Sequence, residues 1–190
     1  ADLDGPGTRA GQPPDHGVLL WNGVRTRIAG VRPRDDLWLV PDPDDPLPPV
    51  GAVVRGALDD DRRTLLMRTH SGLHVLCGVV FRDHGVPVTG GNMEPGEARL
   101  DFDLPVVPPG FKDSLSAALD AEVAADRAVQ VRVLPRAQAY ELGPIIRTAT
   151  DLLPPDREVV RLIDVVGLDL QADGGTHVAS TRQIGRIEVV

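Results

Sequence analysis

The sequence has 190 residues, of which 42% are hydrophobic, 25% charged and 3% aromatic, and its formal net charge is −8 at pH 7. The length suits one large domain or two small ones, and the composition is that of a globular protein with an aliphatic core. The negative charge argues against a non-specific nucleic-acid coat, whose affinity comes from many phosphate contacts, and we expect no DNA partner. No apolar run approaches the roughly 20 residues that a membrane-spanning helix needs, so we expect no membrane partner either.

The single cysteine and the first residue carry further expectations. Cys77 has no second cysteine to pair with, which excludes an intramolecular disulfide and fits a reducing compartment. We therefore expect a cytoplasmic protein, and we favour a monomer over an oligomer. The chain opens at Ala1 without a Met, so we expect the natural N-terminus to be missing.

The first 61 residues predict a small β module. Gly and Pro recur at short intervals through residues 1–17, which is typical of loops and turns. Strand-like runs follow, and Asn22-Gly23 between the first two is a strong hairpin signal. These runs cover residues 18–21, 25–31, 37–40 and 50–58.

Residues 62–190 predict a mixture of helices and strands. Apolar residues at helical spacing predict helices over residues 65–81, 112–128 and 136–142. Alternating or β-branched runs predict strands over residues 86–91, 98–104, 129–134, 159–166 and 184–190. Asp113 is placed to cap the second helix at its N-terminus. A β module followed by this pattern indicates an α+β fold.

Two pairs of potential metal ligands are each spaced four residues apart. His70 and His74 fall on one face of a predicted helix, close enough for two imidazoles to reach one ion. Asp173 and His177 flank two glycines, which allow close backbone approaches. The alternatives are a chance pair on a helix surface and an ordinary Asp-Gly turn. Together, the two pairs favour one shared metal site.

The motifs resemble those of a known family. Residues 68–76 resemble the HxxxH helix of the AlaX-type alanyl-tRNA editing proteins, which is shared with the editing domains of alanyl- and threonyl-tRNA synthetases. Residues 173–178 resemble the second motif of these proteins, written CxxxH. Residues 89–103 look like the strands that link the two motifs, and residues 11–17 resemble a Gly-rich segment of the N-terminal module. The resemblance implies a small β-barrel-like module, residues 1–61, followed by a helix-on-antiparallel-sheet editing domain, residues 62–190.

Three departures from the family pattern bear on activity. Asp173 stands where the motif has a metal-binding cysteine. Arg9 and Ala10 stand where the Gly-rich segment has its first two glycines. Residues 4–7 replace an aromatic-proline stretch. A carboxylate keeps the formal charge of a thiolate but is a harder donor, which favours metals that prefer oxygen.

The resemblance implies a trans-acting hydrolase that cleaves the aminoacyl ester of a mischarged tRNA. His70, His74 and His177 are then metal ligands, and Asp173 is either a fourth ligand or a catalytic base. The expected metal is Zn²⁺, with another divalent ion as the alternative because of Asp173. Three imidazoles without Asp173 would leave the open position that catalytic zinc sites keep.

Three further residues are candidates for contact with the substrate. The resemblance implies a catalytic and substrate-binding role for Gln12, with a polar loop residue as the alternative. Gly175 is expected to line the substrate site. Thr176 could read a substrate hydroxyl, or bond to the backbone in a local turn. Cys77 shares the helix face of His74, and we expect it to pack in the core.

The implied substrate is Ser-tRNA(Ala), so a mischarged tRNA is the expected partner. One alternative is a non-catalytic module that binds aminoacyl-tRNA, and another is an enzyme acting on a different aminoacyl-tRNA in a specialised pathway. Two groups of arginines are candidate tRNA surfaces, with ordinary surface charge as the alternative. The first group is Arg25, Arg27, Arg32 and Arg34, and the second is Arg62, Arg63 and Arg68.

Overall fold

The structure is a computed structural model that describes residues 12–33 and 37–190. The described chain forms three antiparallel sheets and three α-helices, which confirms the predicted α+β class. The departures at Arg9, Ala10 and residues 4–7, together with Arg34, lie outside the described residues. Among the described residues, no helix combines the length and the apolar character that crossing a membrane requires.

The first sheet contains strands β1 (Gly17–Trp21), β2 (Val24–Pro33), β3 (Leu37–Pro41) and β4 (Arg55–Leu58). They lie in the order β3-β2-β1-β4, and all the pairs are antiparallel. Asn22-Gly23 forms the predicted hairpin turn with φ angles of 45° and 75°, the left-handed backbone that tight hairpins need.

This sheet differs from the prediction in two ways. Strands β3 and β4 form its two edges within the described chain, so the sheet is open and the barrel-like shape is not confirmed. The last strand begins at residue 55 rather than 50, because only residues 55–58 pair with β1. Val50 and Val53 before it are fully or almost fully exposed.

Helix α1 (Asp60–His84) is the longest element. The Asp59 side chain accepts a hydrogen bond from the Arg62 backbone N at 3.0 Å, and Gly85 ends the helix in the left-handed conformation with φ of 70°. The helix starts earlier than predicted because its first turn is acidic rather than apolar, and acidic residues stabilise a helix N-terminus. The proposed domain boundary at residues 61 and 62 therefore falls inside this first turn, and the division into two domains stays a prediction.

A hairpin and a second helix follow. Strands β5 (Val88–Glu94) and β6 (Glu97–Phe102) pair antiparallel, and helix α2 (Phe111–Ala124) packs beside α1. The predicted cap at Asp113 is wrong, because Gly110 occupies the N-cap position with a φ of 72°. Asp113 lies in the first turn, where its charge still favours the helix N-terminus.

The third sheet is built from strands β7 (Val129–Pro135), β8 (Val159–Val165) and β9 (Asp169–Ala172), in that order. Helix α3 (Arg136–Glu141) follows β7, as predicted. The predicted strand at residues 184–190 is wrong. Residues 181–184 form a 3₁₀ turn instead, and no described strand pairs with the residues after it.

The core that positions the site lies between α1, α2 and the C-terminal segment. Val75 and Val79 of α1 meet Leu119 of α2, and Val178 and Ile184 close the cluster from the C-terminal side. The apolar residues near the end of the chain thus pack onto helices, although their alternation is typical of a strand. Cys77 is buried in α1, which confirms that it packs in the core.

Candidate metal centre

The structure brings four of the predicted site residues together. His70 and His74 lie one turn apart on α1, and Asp173 and His177 lie on the segment that follows β9. The imidazole centroids of the three histidines are 4.4–5.1 Å apart. One ligand atom from each of the four residues lies within 4.8 Å of the others. Such a group could hold a metal ion.

Backbone contacts fix the segment that carries Asp173 and His177. The Asp173 backbone N donates to the Arg161 carbonyl of β8 at 3.1 Å, and the Arg161 guanidinium donates to the Asp173 carbonyl at 2.9 Å. Farther along, the Val178 backbone N donates to the buried Ser71 hydroxyl of α1 at 3.0 Å. The segment is therefore tied to β8 at one end and to the histidine helix at the other.

Gly175 allows this segment to pass directly against the histidine helix. A Cβ at this position would overlap the His70 ring and lie 2.6 Å from the Gln12 side-chain oxygen. No side chain therefore fits here without displacing the imidazole, which is the close approach that glycine permits. The Gly175 backbone N also donates to Asp173 Oδ1 at 2.5 Å, which fixes the carboxylate.

The Asp173 carboxylate faces all three histidines. Its Oδ2 lies 3.5 Å from His70 Nε2 and 3.9 Å from His74 Nε2, while its Oδ1 lies 3.7 Å from His177 Nε2. Donors bound about 2.0–2.2 Å from one ion in a tetrahedron are roughly 3.3–3.6 Å apart. The carboxylate and the imidazoles thus have nearly the spacing of ligands to one ion, and their side chains are at most 12% exposed.

Burial sets the charge of these groups. Desolvation lowers the pKa of His74 to about 4 and that of His177 to about 2, despite the opposing charge of Asp173. Burial alone would raise the pKa of Asp173, but the facing His70 ring and the other two imidazoles hold that pKa well below its usual range. The two histidines are neutral and the aspartate is ionised at neutral pH, which are the states that bind metal.

Several nitrogens of this cluster have no hydrogen-bond partner among the described residues. They are His74 Nδ1 and both ring nitrogens of His177, and all are inaccessible to solvent. Leaving a buried polar atom unpaired costs about 1–3 kcal/mol. Two of the imidazoles, those of His74 and His177, are neutral, and an ionised carboxylate lies beside them. This set of donors fits a divalent metal ion.

Gln12 connects the N-terminal segment to this cluster. Its Oε1 lies 2.9 Å from His70 Nδ1 and accepts the Thr176 backbone N–H at 2.9 Å, and its Nε2 donates to Thr176 Oγ1 at 3.0 Å. Because the amide oxygen accepts, His70 Nδ1 carries the proton and Nε2 is left free to face Asp173. Gln12 is buried and touches a proposed metal ligand and a proposed substrate residue at once.

The segment that carries Gln12 is held by the first turns of α1. Arg63 pairs with the buried Asp15 at 2.7 Å, and Arg62 donates to the Pro14 carbonyl at 3.4 Å. Arg68 donates to the Ile184 carbonyl at 2.9 Å. These three arginines, one of the two predicted tRNA surfaces, therefore have partners within the protein.

Arg27, from the other predicted group of arginines, also has partners within the protein. Arg27 forms ion pairs with Asp42 at 3.2 Å and Asp45 at 2.9 Å. Arg99, outside both groups, forms an ion pair with Asp101 at 3.1 Å, with both side chains exposed. Sequence reasoning missed Arg161, which holds the Asp173 carbonyl. Its sole signal was a polar residue inside a strand, and that does not identify its partner.

A cleft of about 850 Å³ adjoins the cluster. Its walls come from the segment between α3 and β8, from β8 itself and from residues 171–176, so that Asp173, Gly175 and Thr176 all border it. This volume lies in the range of pockets that bind small molecules, about 300–1,000 Å³. The four-donor cluster therefore lies at the wall of a cleft that a substrate could enter.

Comparison with known proteins agrees with these motifs. The family described as the threonyl and alanyl tRNA synthetase second additional domain matches residues 160–190. The alanyl-tRNA editing protein AlaX-M of Saccharolobus solfataricus is 33% identical over 73% of this chain and 57% of its own length. The AlaX-M protein of Methanosarcina barkeri is 27% identical over 74% of this chain and 58% of its own length. The alanine–tRNA ligase of Thermofilum pendens is 30% identical over 95% of this chain and 20% of its own.

The chain thus spans a little over half the length of these editing proteins and one fifth of the ligase. The ligase match covers nearly the whole chain, including the N-terminal sheet as well as the histidine helix. The resemblance to the AlaX-type alanyl-tRNA editing proteins that the motifs indicate is therefore confirmed.

Proposed function

We propose that this chain is a trans-acting aminoacyl-tRNA deacylase that hydrolyses the ester of a mischarged tRNA, with Ser-tRNA(Ala) as its substrate. The observation that carries the proposal is the four-donor cluster of His70, His74, Asp173 and His177 at the wall of the cleft. The names of the related proteins support the reaction class, since two of them are alanyl-tRNA editing proteins.

The four side chains would hold one divalent metal ion. Three imidazoles suit Zn²⁺, and a carboxylate as the fourth donor also suits ions that prefer oxygen. Because Asp173 Oδ1 accepts the Gly175 N–H, we assign Oδ2, beside His70 and His74, as the ligand atom of the carboxylate. When bound, a divalent ion supplies the positive charge that polarises the ester carbonyl.

The remaining residues of the site orient these donors and the substrate. Gln12 fixes the tautomer and the plane of His70, as the partners of metal-bound histidines commonly do. Gly175 leaves room for that imidazole and directs its own N–H to Asp173. We propose that Gln12 acts through His70 and Thr176, and that Gly175 and Thr176 line the place of the aminoacyl group.

Thr176 supports discrimination between serine and alanine. Its hydroxyl oxygen accepts the Gln12 amide N–H, so its own proton is free to donate to a substrate hydroxyl. A site built to hydrogen-bond a substrate hydroxyl can reject the analogue without it by about 10⁴–10⁵. The hydroxyl of serine would satisfy Thr176, whereas the methyl group of alanine would leave it unpaired.

A deacylation assay on matched substrates tests the proposal. The protein, reconstituted with Zn²⁺, is incubated with Ser-tRNA(Ala) and with Ala-tRNA(Ala), and the remaining ester is followed over time. We expect rapid loss of the seryl ester, slow loss of the alanyl ester, and no turnover in His74→Ala. His84→Ala is the matched control, because His84 lies on the same helix but is exposed and outside the cluster.

Three outcomes would contradict the proposal. Equal hydrolysis of both esters would remove the assigned specificity. Unchanged turnover in His74→Ala would remove the assigned site. Tight binding of both tRNAs by a metal-loaded protein that leaves both esters intact would identify a binding module instead of an enzyme.

A further inference from the structure

The cleft beside the four-donor cluster carries an excess of positive charge. Among the described residues, its walls contain four arginines, Arg63, Arg147, Arg157 and Arg161, but a single carboxylate, Asp173. The whole chain, in contrast, has 28 acidic and 20 basic residues. A local excess of cations in an acidic protein attracts anions to that place while the rest of the surface repels them.

Two of these arginines are already neutralised within the protein. Arg63 pairs with Asp15 at 2.7 Å, and Arg147 pairs with the buried Asp169 at 2.5 Å and lies over the Phe81 ring. Their charges hold the N-terminal segment and strand β9 in place. They contribute to the walls of the cleft but are not free to bind a ligand.

The other two arginines have no carboxylate partner among the described residues. Arg161 donates one N–H to the Asp173 carbonyl at 2.9 Å, which leaves its remaining donors available. The Arg157 side chain is exposed, and its guanidinium has no hydrogen bond or ion pair within the described chain. Both guanidiniums are therefore able to bind an anion. Arg161 also contacts Asp173, a member of the four-donor cluster.

The rest of the cleft is largely apolar. Ile146, Leu153 and Val160 line it together with Gly174. An apolar wall beside two guanidiniums that have no carboxylate partner among the described residues suits a ligand that carries both a flat or apolar body and an anionic group. A nucleotide has this composition, because its base and ribose are joined to a phosphate.

We propose that Arg157 and Arg161 form a binding subsite for the last phosphodiester of the RNA 3′ end, with the terminal nucleoside lying in the cleft that Asp173 also borders. This inference rests on the proposed function. The ester of an aminoacyl-tRNA lies on the terminal ribose, and the 5′ oxygen of that same ribose carries the last phosphodiester. A site that acts on this ester therefore has an anion one ribose away, and arginine is the side chain best shaped to bind it.

Binding of unacylated RNA tests the subsite without any hydrolysis. The probes are two fluorescein-labelled RNA minihelices, one ending in a single-stranded CCA 3′ tail and the other blunt, and binding is followed by fluorescence anisotropy at several salt concentrations. The test variant is Arg157→Gln, since this exposed side chain forms no hydrogen bond or ion pair with the described residues. The control is Arg99→Gln, which removes the same charge from an exposed arginine outside the cleft.

We expect the wild-type protein to prefer the tailed RNA. Arg157→Gln should weaken binding of the tailed RNA about tenfold, and should lower the slope of log K against log salt by about 0.7, the value for one contact on a single strand. Binding of the blunt RNA and all binding by Arg99→Gln should stay unchanged. Arg161→Gln should also weaken the tailed RNA, with metal content measured alongside because Arg161 supports Asp173.

Equal binding of both RNAs by the wild-type protein would overturn the subsite. So would wild-type affinity in Arg157→Gln, or an equal loss for both RNAs, which would place the contact on the duplex. The outcome is separable from that of the deacylation assay. A subsite confirmed in a protein that hydrolyses no ester would contradict the proposed enzyme alone, and an active deacylase with no Arg157 effect would contradict the subsite alone.

Discussion

Two buried polar clusters of this protein differ in how completely their atoms are paired. Around Glu122 of α2, one carboxylate oxygen accepts from Arg82 at 2.7 Å and the other from Arg127 at 2.5 Å. The Thr181 hydroxyl donates to the Glu122 carbonyl at 2.7 Å and accepts from the Arg127 backbone N at 2.9 Å. In the cluster of His70, His74, Asp173 and His177, three ring nitrogens have no partner within the described chain.

The difference separates a structural role from a binding role. The Glu122 cluster joins α1, α2 and the C-terminal segment, and each of its charged atoms is satisfied by the protein itself. The histidine cluster instead groups three imidazoles that the described chain leaves incompletely paired, at a cost in stability. Such an arrangement is expected where a ligand completes the site, because active sites are commonly less stable than they could be.

The largest effect is expected for His177→Ala. We predict that this variant loses bound metal and all deacylation activity, while the metal-free protein unfolds at the same temperature as the metal-free wild type or at a higher one. The reason is that the substitution removes two buried, unpaired nitrogens together with the ligand. Thermal unfolding in a chelator and metal content by elemental mass spectrometry measure both effects. A metal-free variant that is markedly less stable would show that His177 is structural.

In the second prediction, stability falls while metal binding is retained, which is the opposite of the result expected for His177→Ala. Glu122→Ala should lower the free energy of unfolding by about 2–3 kcal/mol. The substitution leaves the partly buried Arg127 without its carboxylate, and Arg82 keeps only its pair with Asp83. For a chain of this length the melting temperature should fall by roughly 5–10 °C. Bound metal should stay at the wild-type level below that temperature. Asp120→Ala, an exposed carboxylate on the same helix, is the control and should change neither quantity.

The smallest effect tests whether Gln12 supports the proposed metal ligand His70. Gln12→Ala should weaken metal binding about 10- to 100-fold, the usual cost of removing the partner of a metal-bound histidine. Competition with a coloured chelator measures the affinity, and the exposed Gln130→Ala is the control. Wild-type affinity in Gln12→Ala would show that the contact with His70 is incidental and that Gln12 has some other role at the site.

Local patterns in the sequence predicted the elements that depend on local interactions. The Asn22-Gly23 hairpin, most of α1 and the strand at residues 129–134 all follow from turn chemistry or from periodicity within one element. The spacing of His70 and His74 belongs to the same class, because four residues on a helix fix their common face. These signals are independent of what the rest of the chain does.

Features that depend on distant partners were not predictable in this way. Strand β9 has four residues and exists because β8 offers it an edge. Ile184 and Val189 alternate as in a strand, but they pack instead into the apolar cluster formed with α1 and α2. Gln12 reaches Thr176 across 164 positions of sequence, and no local pattern encodes such a contact. The motif pairs located the site, but its supporting contacts required the fold.

Metal binding by the four-donor cluster is tested by the metal content of the purified protein after loading and extensive dialysis, measured by elemental mass spectrometry. We expect one equivalent of a divalent metal per chain, retained in His84→Ala and lost in His177→Ala. A wild-type protein that retains no metal under these conditions would contradict the proposed metal site, because the four buried donors would then bind no ion.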